Sequence, residues 1–231
     1  MKLIKPYAQI EHPNSDYEWK RIMKAIEKAG RTCYKSEDKI TNESADKFVR
    51  MLFEHDPPHE SVIEHEKITV RLICDRGVSH EMVRHRLASY SQESTRYCNY
   101  NTDKHDNQIT FILPCWFPDD LLGTYIDYVD FPKSSHEDKM IWINSMVNCE
   151  EDYISLINKG WKPQQARSVL PNALKTEIVV TANLREWRLI MKQRTAKAAH
   201  PQMREIMIPL LTTFAARLPV IFADIFRNLN N

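Results

Sequence analysis

Arg84-His85-Arg86-Leu87-Ala88-Ser89-Tyr90-Ser91-Gln92-Glu93-Ser94-Thr95-Arg96-Tyr97 is the stretch on which the reading of this chain turns. Its fourteen residues gather three guanidiniums, an imidazole, four aliphatic hydroxyls, a carboxamide and a carboxylate. A guanidinium is a planar fork of donors that matches phosphate oxygens, and hydroxyls complete such a cradle. The same composition also suits a solvated basic helix face, and cations are favoured at a helix C-terminus whatever they bind. Spacing decides between these. Two arginines flank a histidine, and seven residues then separate Arg86 from Ser94.

Three further blocks lie outward from this one. Upstream stands His59-Glu60-Ser61-Val62-Ile63-Glu64-His65. Downstream stand Ala166-Arg167-Ser168-Val169-Leu170-Pro171 and Thr181-Ala182-Asn183-Leu184-Arg185-Glu186-Trp187, followed by Arg194. In this order, the four blocks resemble the flavin-dependent thymidylate synthase family, whose signature is Arg-His-Arg-x7-Ser. The resemblance implies reductive methylation of dUMP to dTMP. Methylenetetrahydrofolate supplies the carbon, FAD carries the hydride and NADPH reduces the flavin. It also implies a homotetramer whose active sites draw on several subunits. No enzyme nucleophile needs to attack the pyrimidine. The protein has to hold two flat rings together and stabilise negative charge developing on the uracil.

Residue by residue, the resemblance places Arg194 against the uracil ring, where a guanidinium stays protonated at any working pH. It gives His59 a secondary catalytic role, in proton handling or in gating access to the flavin. Ser94, Arg96 and Arg167 match positions that hold the nucleotide phosphate, with Arg84, Gln92 and Glu93 in the same substrate pocket. Arg84, His85 and Arg86 match the core of the flavin site, joined by Ser61, Glu64, Gln92, Asn183, Arg185 and Leu189. His200 falls near a further family histidine. Three departures stand out. Glu81 replaces a glutamine beside the nucleotide, Ser91 and Gln92 replace an asparagine and an acidic residue, and Leu189 replaces a histidine or asparagine.

Composition narrows the function classes. The 231 residues are ample for a buried core, and 32 basic against 31 acidic residues leave a net charge of +1. A general nucleic-acid binder carries a basic excess over its domain, so a local cationic site for a small phosphorylated ligand fits better. The five cysteines are odd in number and form no Cys-x-x-Cys pair, which suggests reduced intracellular thiols. The four glycines are scattered, so neither a dinucleotide-fold loop nor a P-loop can be built. Side chains must then hold any dinucleotide. The N-terminus lacks the apolar core of a secretory signal. Residues 206–226 are interrupted by Pro209, Arg217, Pro219 and Asp224, so they suit a pair of core helices better than a membrane span. The expected location is cytoplasmic, with no membrane or nucleic-acid partner.

Hydrophobic periodicity predicts helices over 16–29, with Gly30 as the stop, and over 43–54. The Pro57-Pro58 pair predicts extended chain leading into the His59 block. Strands are expected at 68–75, 109–113 and 175–182. Ser79 is the expected cap of a helix reaching about Ala88, with an extended segment over 89–101. A long helix is expected over 136–159, begun by Ser134 or Ser135 and ended by Gly160. Its expected apolar face is Trp142, Met146, Cys149, Tyr153, Leu156 and Ile157. A short helix follows Pro163, and helices over 184–198, 202–214 and 219–229 complete the chain. The expectation is one α+β domain spanning 1–231, with an antiparallel or mixed sheet flanked by helices.

Two rivals stay open at this point. A metal-dependent hydrolase could use the His59-Glu64-His65 block, although its spacing does not set two imidazoles four apart on a helix. A single-strand nucleic-acid module could use the basic, tyrosine-containing segment 84–100.

Overall fold

A computed structural model describes residues 1–125 and 137–230. The strands are β1 (Lys2–Ile4), β2 (Tyr7–His12), β3 (Lys67–Asp75), β4 (Ala88–Gln92), β5 (Thr110–Ile112), β6 (Gly123–Thr124) and β7 (Lys175–Asn183). The α-helices are α1 (Asp16–Tyr34), α2 (Ser44–Phe53), α3 (Arg76–Met82), α4 (Glu137–Asn158), α5 (Pro163–Ala166), α6 (Leu184–Arg194), α7 (Pro201–Arg217) and α8 (Pro219–Arg227). The architecture is α+β. One sheet has the order β5-β1-β6 and the other the order β2-β3-β7-β4. The first is mixed: β1 runs parallel to β5, with Leu3 opposite Phe111, and antiparallel to β6.

Residue contacts divide the chain into two compact units. The first comprises Met1–Tyr7, Ile73–Val83 and Ser91–Ile178. Its core gathers Leu3, Phe111, Leu113, Ile143, Met146 and Tyr153. Along α4 the buried stripe runs through Ile143, Met146 and Tyr153, while Trp142, Cys149, Leu156 and Ile157 lie half-buried beside it. Ile143 was missed because Glu150 falls in the same stripe and weakens its apolar signal. There the Glu150 carboxylate accepts from the Ile109 amide at 2.6 Å. The expected residue 136 and the Ser134 or Ser135 cap lie outside the described residues. The helix ends near Gly160, at φ 90°, as expected.

The second unit comprises Ala8–Leu72, Arg84–Tyr90 and Val179–Asn231. Phe214 forms its aromatic centre, with Trp187 at 5.4 Å, Phe222 at 5.1 Å and Trp19 at 6.4 Å between ring centroids. Trp187 Nε1–H donates to the Ile68 carbonyl at 3.0 Å, which satisfies the one polar atom of a fully buried indole.

Several boundaries differ from the sequence expectation, each for a local reason. Helix α1 runs through Gly30 and stops at Lys35, which adopts φ 48° and donates its N–H to the Arg31 and Thr32 carbonyls. Gly30 is instead a packing residue. A Cβ there would sit 2.6 Å from the Phe48 ring of α2, so only glycine permits this approach. Asp75, not Ser79, caps α3, accepting from the Val78 amide at 2.8 Å. Ser79 sits inside the helix and donates back to the Arg76 carbonyl. Helix α3 ends at Met82, and Arg84-His85-Arg86 occupy the turn before β4 instead of a helical face. After Pro57-Pro58 the His59 block folds as a 3-10 turn over Glu60–His65. Helix α6 ends at Arg194, before the expected Ala198, and Thr195 returns its hydroxyl to the Met191 carbonyl. Residues 206–226 do form a helix pair, within α7 and α8. Among the described residues no helix is long and apolar enough to cross a membrane.

Candidate active site

In the second unit the predicted residues centre on His85. The turn between α3 and β4 carries it inward, leaving its ring 5 % exposed, while Arg84, Arg86 and Leu87 point outward. Arg194, at the last turn of α6, donates Nε–H to His85 Nε2 at 2.9 Å. A guanidinium nitrogen only donates, so Nε2 must carry the lone pair and Nδ1 the proton. Nδ1 faces the buried Glu186 carboxylate at 3.6 Å. Tyr90 O–H donates to the His85 carbonyl at 2.7 Å and fixes the backbone of the turn. Burial, and then the Arg194 charge, push the imidazole down to about 4, so the ring is neutral at physiological pH. Burial raises the Glu186 carboxyl, and burial with the Glu186 charge pushes the Tyr90 phenol up to about 12.

A cavity of about 510 Å³ opens beside α6 in the same unit. Glu64, Asn183, Arg185 and Leu189, all expected at the cofactor, line it together with Leu87 and Lys192. Asn183 ends β7 and caps α6, its side chain accepting from the Glu186 amide at 2.8 Å. Arg185 pairs with Glu64. Arg188, which sequence reasoning did not single out, is the buried strut of this wall. It holds Glu60 at 3.0 Å and Asp224 of α8 through a two-pronged contact at 2.7 and 2.8 Å. Ser61 lies exposed on the 3-10 turn. His59 precedes that turn, exposed, with its ring stacked on His55 at 4.4 Å and Nδ1 3.3 Å from the Tyr34 hydroxyl. His200 caps α7 through the Gln202 amide. A larger opening of about 820 Å³ elsewhere in this unit is lined by Trp19, Lys24, Asp46 and Arg217 among others, and contains no predicted site residue.

The first unit carries the other residues expected at the nucleotide, Arg84 and Arg194 belonging to the second. Gln92, at the end of β4, donates to Ser79 Oγ at 2.9 Å and Thr176 Oγ1 at 3.2 Å. The chain then turns sharply: the Ser94 carbonyl accepts the Tyr97 and Cys98 amides, and Ser94 Oγ accepts the Arg96 amide. Arg96 leans over the Tyr97 ring at 5.5 Å. Buried Thr95 accepts from Arg167 at 3.1 Å, tying the Ser94 turn to the end of α5 and bringing Arg167 to it. Glu93 is engaged internally. Its carboxylate accepts from the Tyr100 hydroxyl at 3.0 Å and from Lys175 at 3.1 Å. Burial opposes the Lys175 charge, but hydrogen bonds to Glu177 and Glu93 outweigh it and raise the ammonium. Glu81 is half-buried on α3.

The metal-dependent rival finds no support here. Among the described residues no three histidine, cysteine or acidic side chains gather as a metal-holding group.

Against this geometry stand the known proteins. The sequence pattern described as thymidylate synthase complementing protein matches residues 17–220. The flavin-dependent thymidylate synthase of Mycolicibacterium vanbaalenii is 32 % identical over 204 residues, covering 86 % of this chain and 78 % of that one. Its namesake from Corynebacterium aurimucosum is 31 % identical over 202 residues, with the same coverage. Among solved structures, thymidylate synthase X from Helicobacter pylori with FAD and dUMP superposes at a TM-score of 0.70 with 17 % identity, over 96 % of this chain and 99 % of that one. The UMP/dUMP methylase PolB from Streptomyces cacaoi, bound with 5-Br dUMP, gives a TM-score of 0.70 at 22 % identity, over 99 % and 97 %. The breadth of the pattern match, and the identity to relatives over 86 % of the chain, place it in the thymidylate synthase complementing protein family, the flavin-dependent thymidylate synthases.

Proposed function

We propose that this chain converts dUMP to dTMP by reductive methylation, with methylenetetrahydrofolate as carbon donor, FAD as resident flavin and NADPH as reductant. The observation that carries this reading is the Arg194 guanidinium, held at Nε by a neutral, buried His85 within a family-matched chain. A fixed cation in that setting stabilises a uracil ring that takes up negative charge. Its stabilisation exceeds what water offers because its orientation is set beforehand.

The residues of the α6 cavity fit a flavin dinucleotide. Leu87 and Leu189 offer apolar surface, while Arg185 and Lys192 bring cations to the same opening. The acidic Glu60 and Glu64 can accept from sugar hydroxyls, as carboxylates do. With only scattered glycines, the cationic side chains, including exposed Arg84 and Arg86, are what can meet a pyrophosphate. When bound, FAD supplies the hydride that completes the new methyl group.

In the first unit, Ser94, Arg96 and Arg167 are assigned to the nucleotide phosphate, with Gln92 and Glu81 as further substrate-pocket residues. Glu93 braces the turn that carries them. Arg84, carried by the second unit, is assigned to the substrate as well. In the second unit, Ser61, Glu64, His85, Asn183, Arg185 and Leu189 are assigned to the flavin, and His59 to proton handling at the exposed rim. The assembly is a homotetramer with shared sites, each chain acting as one catalytic domain in the cytoplasm. The test is product formation. Purified protein with FAD, NADPH, methylenetetrahydrofolate and dUMP gives dTMP, and omitting FAD or folate abolishes it. No dTMP from a folded, FAD-saturated protein would sink the assignment.

A further inference from the structure

We propose that Glu186 is a positioning residue for the reaction, acting on Arg194 through His85. The inference rests on the reading above, in which Arg194 meets the pyrimidine. Helix α6 brackets one imidazole: Glu186 in its first turn faces Nδ1 at 3.6 Å, and Arg194 in its last turn donates to Nε2 at 2.9 Å. The Arg194 bond requires a bare Nε2, and a bare Nε2 on a neutral ring requires the proton on Nδ1. Glu186 is the carboxylate that this proton faces, at 3.6 Å. At 5 % exposure it lies where water does not readily substitute. The bond to Arg194 is made at Nε, so it sets the plane of the guanidinium without using the Nη fork. A second anchor reaches the same turn from below, where Tyr90 holds the His85 backbone.

Removing the carboxylate takes away the negative group that the buried Nδ1–H faces at 3.6 Å. Burying such a donor without a partner is costly, and the ring relieves the cost by changing tautomer or rotating. Either movement takes the lone pair away from Arg194. The guanidinium then wanders. A misplacement of about 1 Å at a reacting centre costs on the order of a hundredfold in rate. Glutamine in place of Glu186 keeps a carbonyl oxygen for Nδ1–H but loses the charge, which separates an orienting role from an electrostatic one.

The experiment uses the full chain with Glu186→Leu, Glu186→Gln and His85→Gln, alone and with Glu186→Leu added to His85→Gln. Steady-state kinetics for dUMP are paired with ¹⁵N chemical shifts of the His85 ring, recorded without flavin or substrate. The expected result is an Nδ1–H, bare-Nε2 ring in the parent and in Glu186→Gln, and a mixed or reversed tautomer in Glu186→Leu. Alongside it, kcat falls about tenfold or more in Glu186→Leu, with recovery to within about threefold in Glu186→Gln. In the His85→Gln background, adding Glu186→Leu costs less than about twofold, because the intermediary is already gone. An unchanged tautomer in Glu186→Leu, equal losses in the Leu and Gln variants, or a full Glu186→Leu loss in the His85→Gln background would each overturn the proposal. If Glu186→Leu does not fold, the parent spectrum still decides, since an Nε2–H ring there contradicts the arrangement. A parent chain that makes no dTMP defeats the assigned reaction, while the tautomer arm still tests the brace on Arg194.

Discussion

His85 shows how far a single side chain can be committed before any ligand arrives. Its ring is buried, neutral, held at Nε2 by Arg194 and faced at Nδ1 by Glu186, and its folded-state titration at about 4 lies below the ordinary value of 6.5. Between those two values the unfolded chain binds the proton and the folded one does not. Stability from this group is therefore complete above pH 6.5 and is lost as the pH falls toward 4. Each pH unit across that window is worth about 1.4 kcal/mol, so the loss traceable to His85 reaches at most about 3.5 kcal/mol. Denaturant unfolding of the parent and of His85→Gln at pH 7 and pH 4.5 checks this. The stability fall on acidification should be smaller in the variant, and equal falls would contradict the buried, neutral ring. His85 and Arg194 were legible in the sequence because a family pattern names them. Glu186 was not, although it sits in a quoted block. Its partner lies far away along the chain, and spacing in sequence carries no trace of that contact.

At the scale of elements, periodicity found most helices, and it failed where a residue type has two uses. Gly30 was read as a helix stop because glycine commonly ends helices. In the fold it lets α1 approach α2 to the Phe48 ring. Gly30→Ala should lower stability by about 1–3 kcal/mol through overpacking, despite alanine's better helix propensity. A thermal or denaturant midpoint that rises on this substitution would show that the helices can part at little cost. Asp75 and Ser79 both suit a helix cap, and the extended backbone at the end of β3 selects the former. Helix α3 also ends at Met82, so the two arginines stand in a turn, where their side chains are exposed. The 93–100 turn depends on the Glu93, Tyr100 and Lys175 contacts, which no local pattern announces.

On the scale of the whole molecule, the α+β class was legible from the alternation of strand and helix patterns. The β1, β2 and β6 strands were not anticipated. Strands of two to six residues are too short to display a clear alternation, and those of the three-stranded sheet are defined by the partners they pair with. The proposed homotetramer belongs to this scale as well. Chains carrying Arg194→Ala and chains carrying Arg84→Ala, each inactive alone, should regain part of the activity when denatured and refolded together if sites are shared. Activity of the mixture no higher than that of either parent variant would confine each site to one chain.

The most direct test of the central assignment is the visible absorption spectrum of the purified protein after incubation with FAD, recorded before and after dUMP is added. The yellow chromophore is expected to stay with the protein through gel filtration, and its flavin bands to shift when dUMP stacks against the ring. A protein that retains no flavin, or whose bound flavin is blind to saturating dUMP, would contradict the assignment of this cradle to the two rings.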